Sequence, residues 1–227
     1  MGIAPTIRQW FDLRTIRNEY RAAFRTPGYI ALLIISMIVL CGALYVNFWA
    51  IDQATAEAGP HVEDLILSNF PAIEVDGLFV YGTFAVLALT ILIVLARPRS
   101  IPFIVHGVTL FMIVRSGFTL LTHLGPPEAY YASDFGSTIT GAFFGSDQFF
   151  SGHTGMTFLA ALAYWRIPWI RNLFLLACVY FVAIVLLGHI HYSIDVASAF
   201  CITYCIYLVA LWAFEKEHAM FLENTTV

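Results

Sequence analysis

Six apolar runs, at roughly 28–50, 77–96, 101–123, 149–165, 173–190 and 192–214, constrain this chain more than any other feature. Each approaches the ~20 residues a helix needs to cross about 30 Å of hydrocarbon. Hydrocarbon offers a backbone no hydrogen-bond partners, so spans this long and this apolar are expected to be helices. Composition agrees: 60% of residues are hydrophobic and 11% are charged, against about 25% charged in a soluble domain. Mean hydropathy is +0.80. A net charge of −4 gives no reason to expect a nucleic-acid partner. The first apolar run follows a basic segment and is too long for the core of a cleaved signal, so it is expected to remain as a span.

The links between the runs alternate in charge. Arg8, Arg14, Arg17, Arg21 and Arg25 precede the first run, Arg97 and Arg99 follow the second, Arg166 and Arg171 follow the fourth, and Lys216 follows the sixth. The links at about 51–76 and 124–148 hold no Lys or Arg, only acids such as Asp52, Asp64, Asp76, Glu128 and Asp147. Basic loops stay on the cytoplasmic side. The expected fold is therefore an all-α, six-transmembrane helical bundle with both termini cytoplasmic. Its parts are an amphipathic cytoplasmic segment at 1–27, the six-span domain at 28–214 and a cytoplasmic tail at 215–227. Within the first, Ile7, Trp10, Phe11, Ile16, Tyr20 and Phe24 interleave with arginines, as in a helix lying on the inner headgroup layer.

That topology brings two polar segments to the extracytoplasmic face, Ser151-Gly152-His153-Thr154 and His189-Ile190-His191-Tyr192-Ser193-Ile194-Asp195. Ionisable groups bordering a span are expensive there and are functional candidates by default. His191 and Asp195, four apart, share a face if helical. A carboxylate beside imidazole sets its tautomer, orients it and stabilises the cation that forms. His153 supplies a second imidazole for proton transfer near neutrality. Ser151-Gly152 offers a hydroxyl and backbone N–H groups at a helix start, an anion-binding feature.

Ten of the eleven basic residues lie in the cytoplasmic links; the eleventh, Arg115, falls inside the third run. Its guanidinium keeps its proton and needs an anion or water. It either pairs with a buried acid, Asp147 or Asp195, or clamps phosphate. Two imidazoles, a carboxylate, a helix start and one guanidinium suit phosphoryl transfer, which depends mostly on positioning and charge. His106 is expected to hydrogen-bond between helices, His123 to stand at an entrance, His189 to be a tolerated polar residue with support of the site as the weaker reading, and His61 and His218 to face solvent. A His/His/Asp zinc site is the weaker alternative. Cys41, Cys178, Cys201 and Cys205 fall in apolar runs and show no metal or disulfide spacing; Cys201 and Cys205, four apart, are expected to serve packing.

Ser-Gly-His-Thr at 151–154 followed by His-Tyr-Ser-Ile-Asp-Val at 191–196 resembles the type-2 phosphatidic acid phosphatase superfamily, and most closely its sphingomyelin synthase branch. That branch carries Gly-Asp-x-x-x-Ser-Gly-His-Thr, where this chain has Ser146-Asp147-Gln148-Phe149-Phe150-Ser151-Gly152-His153-Thr154. It also carries His-x-His-Tyr-Thr-x-Asp-Val, matched by 189–196 with Ser193 for the threonine. Arg115 with Thr119 and Thr122, before Pro126-Pro127, is similar to the branch's Arg-x-x-Thr element. The superfamily's phosphatases differ. They carry a lysine seven residues before Arg-Pro, where this chain has Thr90 before Arg97-Pro98, and an arginine shortly before the nucleophilic histidine, where it has Ile184-Val185-Leu186. A phosphate monoester is nearly a dianion and asks for several cations; a phosphodiester carries one charge, which a single arginine suits better.

The resemblance implies a phospholipid headgroup transferase. His153, His191 and Asp195 would be catalytic, and Arg115, Asp147 and Ser151 would bind substrate. The donor would be a glycerophospholipid, the acceptor ceramide or another lipid alcohol, and diacylglycerol a product, with no metal or other cofactor. Two rivals stand beside it: a lipid phosphate phosphatase or phospholipase C-like hydrolase using the same residues, and a transporter with a polar route at the midplane.

Overall fold

The computed structural model describes residues 5–127 and 149–223. Two short polar side chains start its first helices. Thr6 Oγ1 accepts from the Gln9 amide at 3.4 Å to open α1 (Ile7–Trp10), and Asp12 Oδ2 accepts from the Thr15 amide at 2.8 Å to open α2 (Leu13–Arg25). Gly28, at φ 79°, makes the left-handed turn into α3 (Tyr29–Ala56). A 3₁₀ turn at Leu67–Asn69 precedes α4 (Asp76–Leu95), and a second at Pro98–Ser100 leads into α5 (Ile101–Leu121). Then follow α6 (Gly152–Ala163), α7 (Pro168–Leu187), α8 (Ser193–Ala213) and α9 (Glu215–Glu223). Pro102 and Pro168 fall in first turns, where a missing N–H costs no bond. Among the described residues there is no strand.

Among the described residues, five helices are long and apolar enough to cross a bilayer: α3, α4, α5 with its leading turn, α7 and α8. The sequence leads one to expect six spans. The shortfall falls on the fourth run, 149–165, of which only the 12 residues of α6 are helical. At 1.5 Å per residue that is about 18 Å, well short of the hydrocarbon thickness. Large apolar side chains face outward on all five long helices, among them Ile38, Phe48, Leu92, Ile113, Leu176 and Trp212. A water-soluble fold would bury such a surface; lipid accepts it.

α3 lies along α5, α5 touches α6 and α8, and α6 sits between α7 and α8. α4 packs mainly on α7, where Tyr180 Oη donates to the Leu78 carbonyl at 2.8 Å. α9 folds back against α5, α8 and the Pro98–Ser100 turn.

The N-terminal segment is built into this bundle. Trp10 is fully buried, edge-on to both Tyr164 and Trp169 at 6.0 Å, and donates Nε1–H to the Ile93 carbonyl at 3.2 Å. Arg97, read from sequence as a loop charge, is buried too. It donates to the carbonyls of Trp10 at 2.9 Å and Gln9 at 3.0 Å and lies over the Trp10 ring. Trp10 thus serves the core, while Leu13 and Phe24 remain on the exposed face.

Candidate active site

The site begins with the way α7 ends. The amides of Ile190 and His191 both donate to the Val185 carbonyl, at 2.9 and 3.3 Å, and His189 takes a left-handed conformation at φ 51°. This tight reversal places His191 just ahead of α8. Tyr192 then acts as N-cap residue, its amide donating to Asp195 Oδ2 at 2.9 Å. That bond is half of a capping box, and it fixes the carboxylate. The same oxygen lies 3.5 Å from His191 Nδ1. Both side chains are buried. The i,i+4 pairing expected from sequence is present, and it leaves Nε2 as the ring nitrogen turned away from the carboxylate. Asp195 Oδ1 is buried and finds no hydrogen-bond partner among the described residues.

α6 brings the second histidine. The Ser151 amide donates to the Asp195 carbonyl at 3.2 Å, tying the start of α6 to α8. His153, in the first turn, has its ring 4.4 Å from that of Phe79 on α4 and 5.2 Å from that of Phe181 on α7. Arg115 comes from α5, is buried, and donates Nε–H to the Phe150 carbonyl at 3.1 Å. Its guanidinium lies across Gly152: a Cβ there would come within 3.0 Å of Nε and 3.3 Å of Cζ. The glycine between serine and histidine lets the cation reach the start of α6.

Arg115, Gly152, His153 and His191 line one cavity of about 350 Å³. Thr83, Leu87, Gly107 and Val108 continue its wall between α4 and α5, and Phe103, Tyr164 and Tyr207 line its far part. The threonine hydroxyls of this wall are spent on their own helices: Thr83 donates to Phe79, Thr90 to Val86 and Thr157 to His153, at 2.7 to 2.8 Å. The cavity is polar where the histidines stand and apolar beyond them, the profile of a site for an amphiphile.

Other expected residues fall differently. Ser151 is fully buried and donates its hydroxyl to Thr154 Oγ1 at 3.1 Å, and it does not line the cavity; the expected hydroxyl contact to substrate is replaced by an internal one. Asp147 lies outside the described residues. His106 bonds Ser36 Oγ through Nε2 at 2.9 Å, a helix-to-helix bond as expected. His189 bonds the Phe70 carbonyl at 3.1 Å and supports the turn. His123 approaches Glu57 at 3.2 Å, and both are exposed. His218 is half-buried against Phe103, not solvent-facing, because α9 folds back under the bundle. Cys201 and Cys205 are exposed on the outer surface rather than packed; Cys41 is exposed too, while Cys178 is buried.

Three contributors were not singled out from sequence. Phe79 and Phe181 hold the His153 ring. Asn47 of α3 lines the cavity, near Ser116 Oγ at 3.5 Å. Aromatics in apolar runs carry no distinguishing signal. An amide in the first span does, since polar groups there are costly.

The PAP2 superfamily C-terminal family model matches residues 145–212, the stretch that contains His153, His191 and Asp195. The match supports the type-2 phosphatidic acid phosphatase superfamily that the two motifs resemble, and with it phosphatase- or phosphotransferase-type chemistry on lipid phosphates. It does not reach the sphingomyelin synthase branch. Comparison with curated proteins and with solved structures returns no significant match.

Proposed function

We propose that the protein moves phosphocholine or phosphoethanolamine from a glycerophospholipid to a lipid alcohol such as ceramide, through a phosphohistidine. His191, oriented by Asp195, attacks phosphorus with Nε2. The bond to the diacylglycerol oxygen breaks as His153 donates a proton to that oxygen, and diacylglycerol leaves. A lipid alcohol then attacks the same phosphorus. His153 takes its proton, the P–N bond breaks and its electron pair returns to Nε2. Arg115 holds the non-bridging oxygens, and Asp147 orients His153 or meets the headgroup amine. Ser151 contributes the fixed start of α6. The steps balance without a metal.

One observation carries this reading: Arg115, His153 and His191 share a single cavity whose remaining wall is mostly apolar. A soluble phosphoester needs no such wall, whereas a lipid does. Arg115 is the lone Lys or Arg among the residues lining it, which suits a singly charged diester better than a monoester dianion. In this proposal α6 with its flanks makes the fourth of six spans, both termini are cytoplasmic and the site faces the opposite side.

The test uses purified protein in mixed micelles with fluorescent ceramide and phosphatidylcholine or phosphatidylethanolamine, read by thin-layer chromatography. A new phosphosphingolipid that disappears in His191→Ala and His153→Ala is expected, with a loss of about 10² to 10⁴-fold for His153→Ala, the usual range for an acid–base group, and at least as great a loss for His191→Ala, which removes the nucleophile. Residual turnover above a few per cent in either variant would sink the assigned roles. Release of phosphate or of free headgroup, with no new lipid, would point to a hydrolase.

A further inference from the structure

The segment between α3 and α4 is fastened across the turn that carries His191. The Asp64 carboxylate does most of this. Its Oδ1 accepts from the amides of Ile66 and Leu67, at 2.9 and 3.1 Å, closing a local turn. Its Oδ2 accepts from Ser193 twice, from the amide at 2.8 Å and from Oγ at 2.7 Å. Ser193 is the first residue of α8, so an acid 129 positions away satisfies an amide the helix cannot. Burial raises the Asp64 pKa, but the four bonds from Ser193, Leu67 and Ile66 outweigh it, leaving it below its ordinary value and the group charged at neutral pH.

Tyr192 makes the second fastening. Its hydroxyl accepts from the Val62 amide at 3.1 Å and donates to the Gly125 carbonyl at 2.9 Å. The Gly59 amide reaches the His123 carbonyl at 2.8 Å. At the far end, the Ile73 amide donates to the Leu187 carbonyl at 2.8 Å, beside the bond from His189 to Phe70. The strap from Gly59 to Ile73 is therefore tied to the α7–α8 turn through Val62, Asp64, Phe70 and Ile73, and at Gly59 to the residue His123 just beyond α5. Its outer surface carries Leu65, Phe70 and Ile73, 84, 62 and 49% exposed. Those apolar side chains suit contact with lipid rather than water. In the turn it fastens, His191 and Tyr192 are 5 and 1% exposed.

We propose that the Asp64–Ser193 and Tyr192 clasp selects the acceptor: it holds the strap over His191 so that the phosphohistidine meets a lipid alcohol and not water. This deepens the transfer reading above and rests on it. Water is the competing nucleophile. Its oxygen would bond to phosphorus, the P–N bond would break, its proton would pass to His153, and free headgroup would leave. Asp64 and Tyr192 touch neither the reacting atoms nor the cavity. They act by position alone.

The experiment uses the full chain in vesicles containing ceramide and phosphatidylcholine labelled in its headgroup. It reads labelled phosphosphingolipid against free labelled phosphocholine. Asp64→Asn keeps an oxygen for the local turn and sets an amide nitrogen against the Ser193 donors, so it opens the clasp with little other change. Tyr192→Phe opens it independently. The ratio of transfer to hydrolysis should fall at least tenfold in each, with donor consumption within threefold of wild type. An unchanged ratio, or an equal fall of both products, in the two variants overturns the clasp. Failure of the underlying reading shows in the wild-type protein instead: release of headgroup alone there overturns transfer and the clasp together.

Discussion

A glycine decides how closely charge approaches chemistry in this site. Gly152 leaves room for the Arg115 guanidinium over the start of α6, and a methyl group would sit 3.0 Å from Nε. The arginine has a flexible stem, so Gly152→Ala should displace it rather than prevent folding. The expected result is a weaker grip on the phosphoryl oxygens. Apparent KM for the phospholipid should rise about tenfold while the unfolding temperature in detergent moves by a few degrees, about 1 kcal/mol of stability. An unchanged KM would remove Arg115 from substrate binding. The same scale explains why His191 and Asp195 were legible early. The four-residue spacing suggests the pairing, but His191 stands ahead of α8, and it is the reversal at the end of α7 that brings its ring to Asp195. Ser151 was not legible in the same way. Its hydroxyl has two directions open to it, and only packed neighbours decide that Thr154 receives it.

At the scale of elements, α4 matters most. It rests on α7 through Tyr180 and leaves a cavity between itself and α5. Gly107 on α5 lines that cavity, and a Cβ there meets nothing within 4 Å. Gly107→Leu should therefore fold well, with about 1 kcal/mol gained from helix propensity. The leucine would occupy space proposed for an acyl chain. Turnover of long-chain donors should fall about tenfold, with short-chain donors little affected. A loss independent of chain length would mean that the lipid tail lies elsewhere. The strap obeys a related logic with respect to pH. Because the Asp64 pKa is lowered on folding, its contribution is complete above the ordinary value of 3.8 and is lost as pH falls through the lowered value. Hydrogen-exchange protection of the Ser193 amide should accordingly be constant from neutral pH down to about 4 and collapse only in stronger acid.

For the whole molecule, the bundle is locked at one end by its N-terminal segment. Trp10 fills a buried slot beside Tyr164 and Trp169, and Arg97 clasps the backbone around it. Trp10→Ala should cost about 3 to 5 kcal/mol, visible as a lowered unfolding temperature in detergent. A change below 1 kcal/mol would mean that the segment only leans on the bundle. Topology has its own test. With the native cysteines replaced, a cysteine at Glu63 and another at Arg171 should be labelled by an impermeant reagent from opposite sides of the membrane. Labelling of both from one side would overturn the six-span arrangement. The helices themselves were determined by the sequence alone, because hydrocarbon leaves an isolated apolar segment no alternative to satisfying its own backbone. The candidacy of His191 and Asp195 as a pair was as well, through their spacing, although the turn between α7 and α8 makes the contact. Only the tertiary structure decided that His153 and Arg115 share a cavity with that pair, that α6 is short, and that Asp64 and Trp10 are fastenings rather than surface residues. Those facts depend on contacts between residues far apart in the chain, where no period or spacing carries information and packing alone selects the partner.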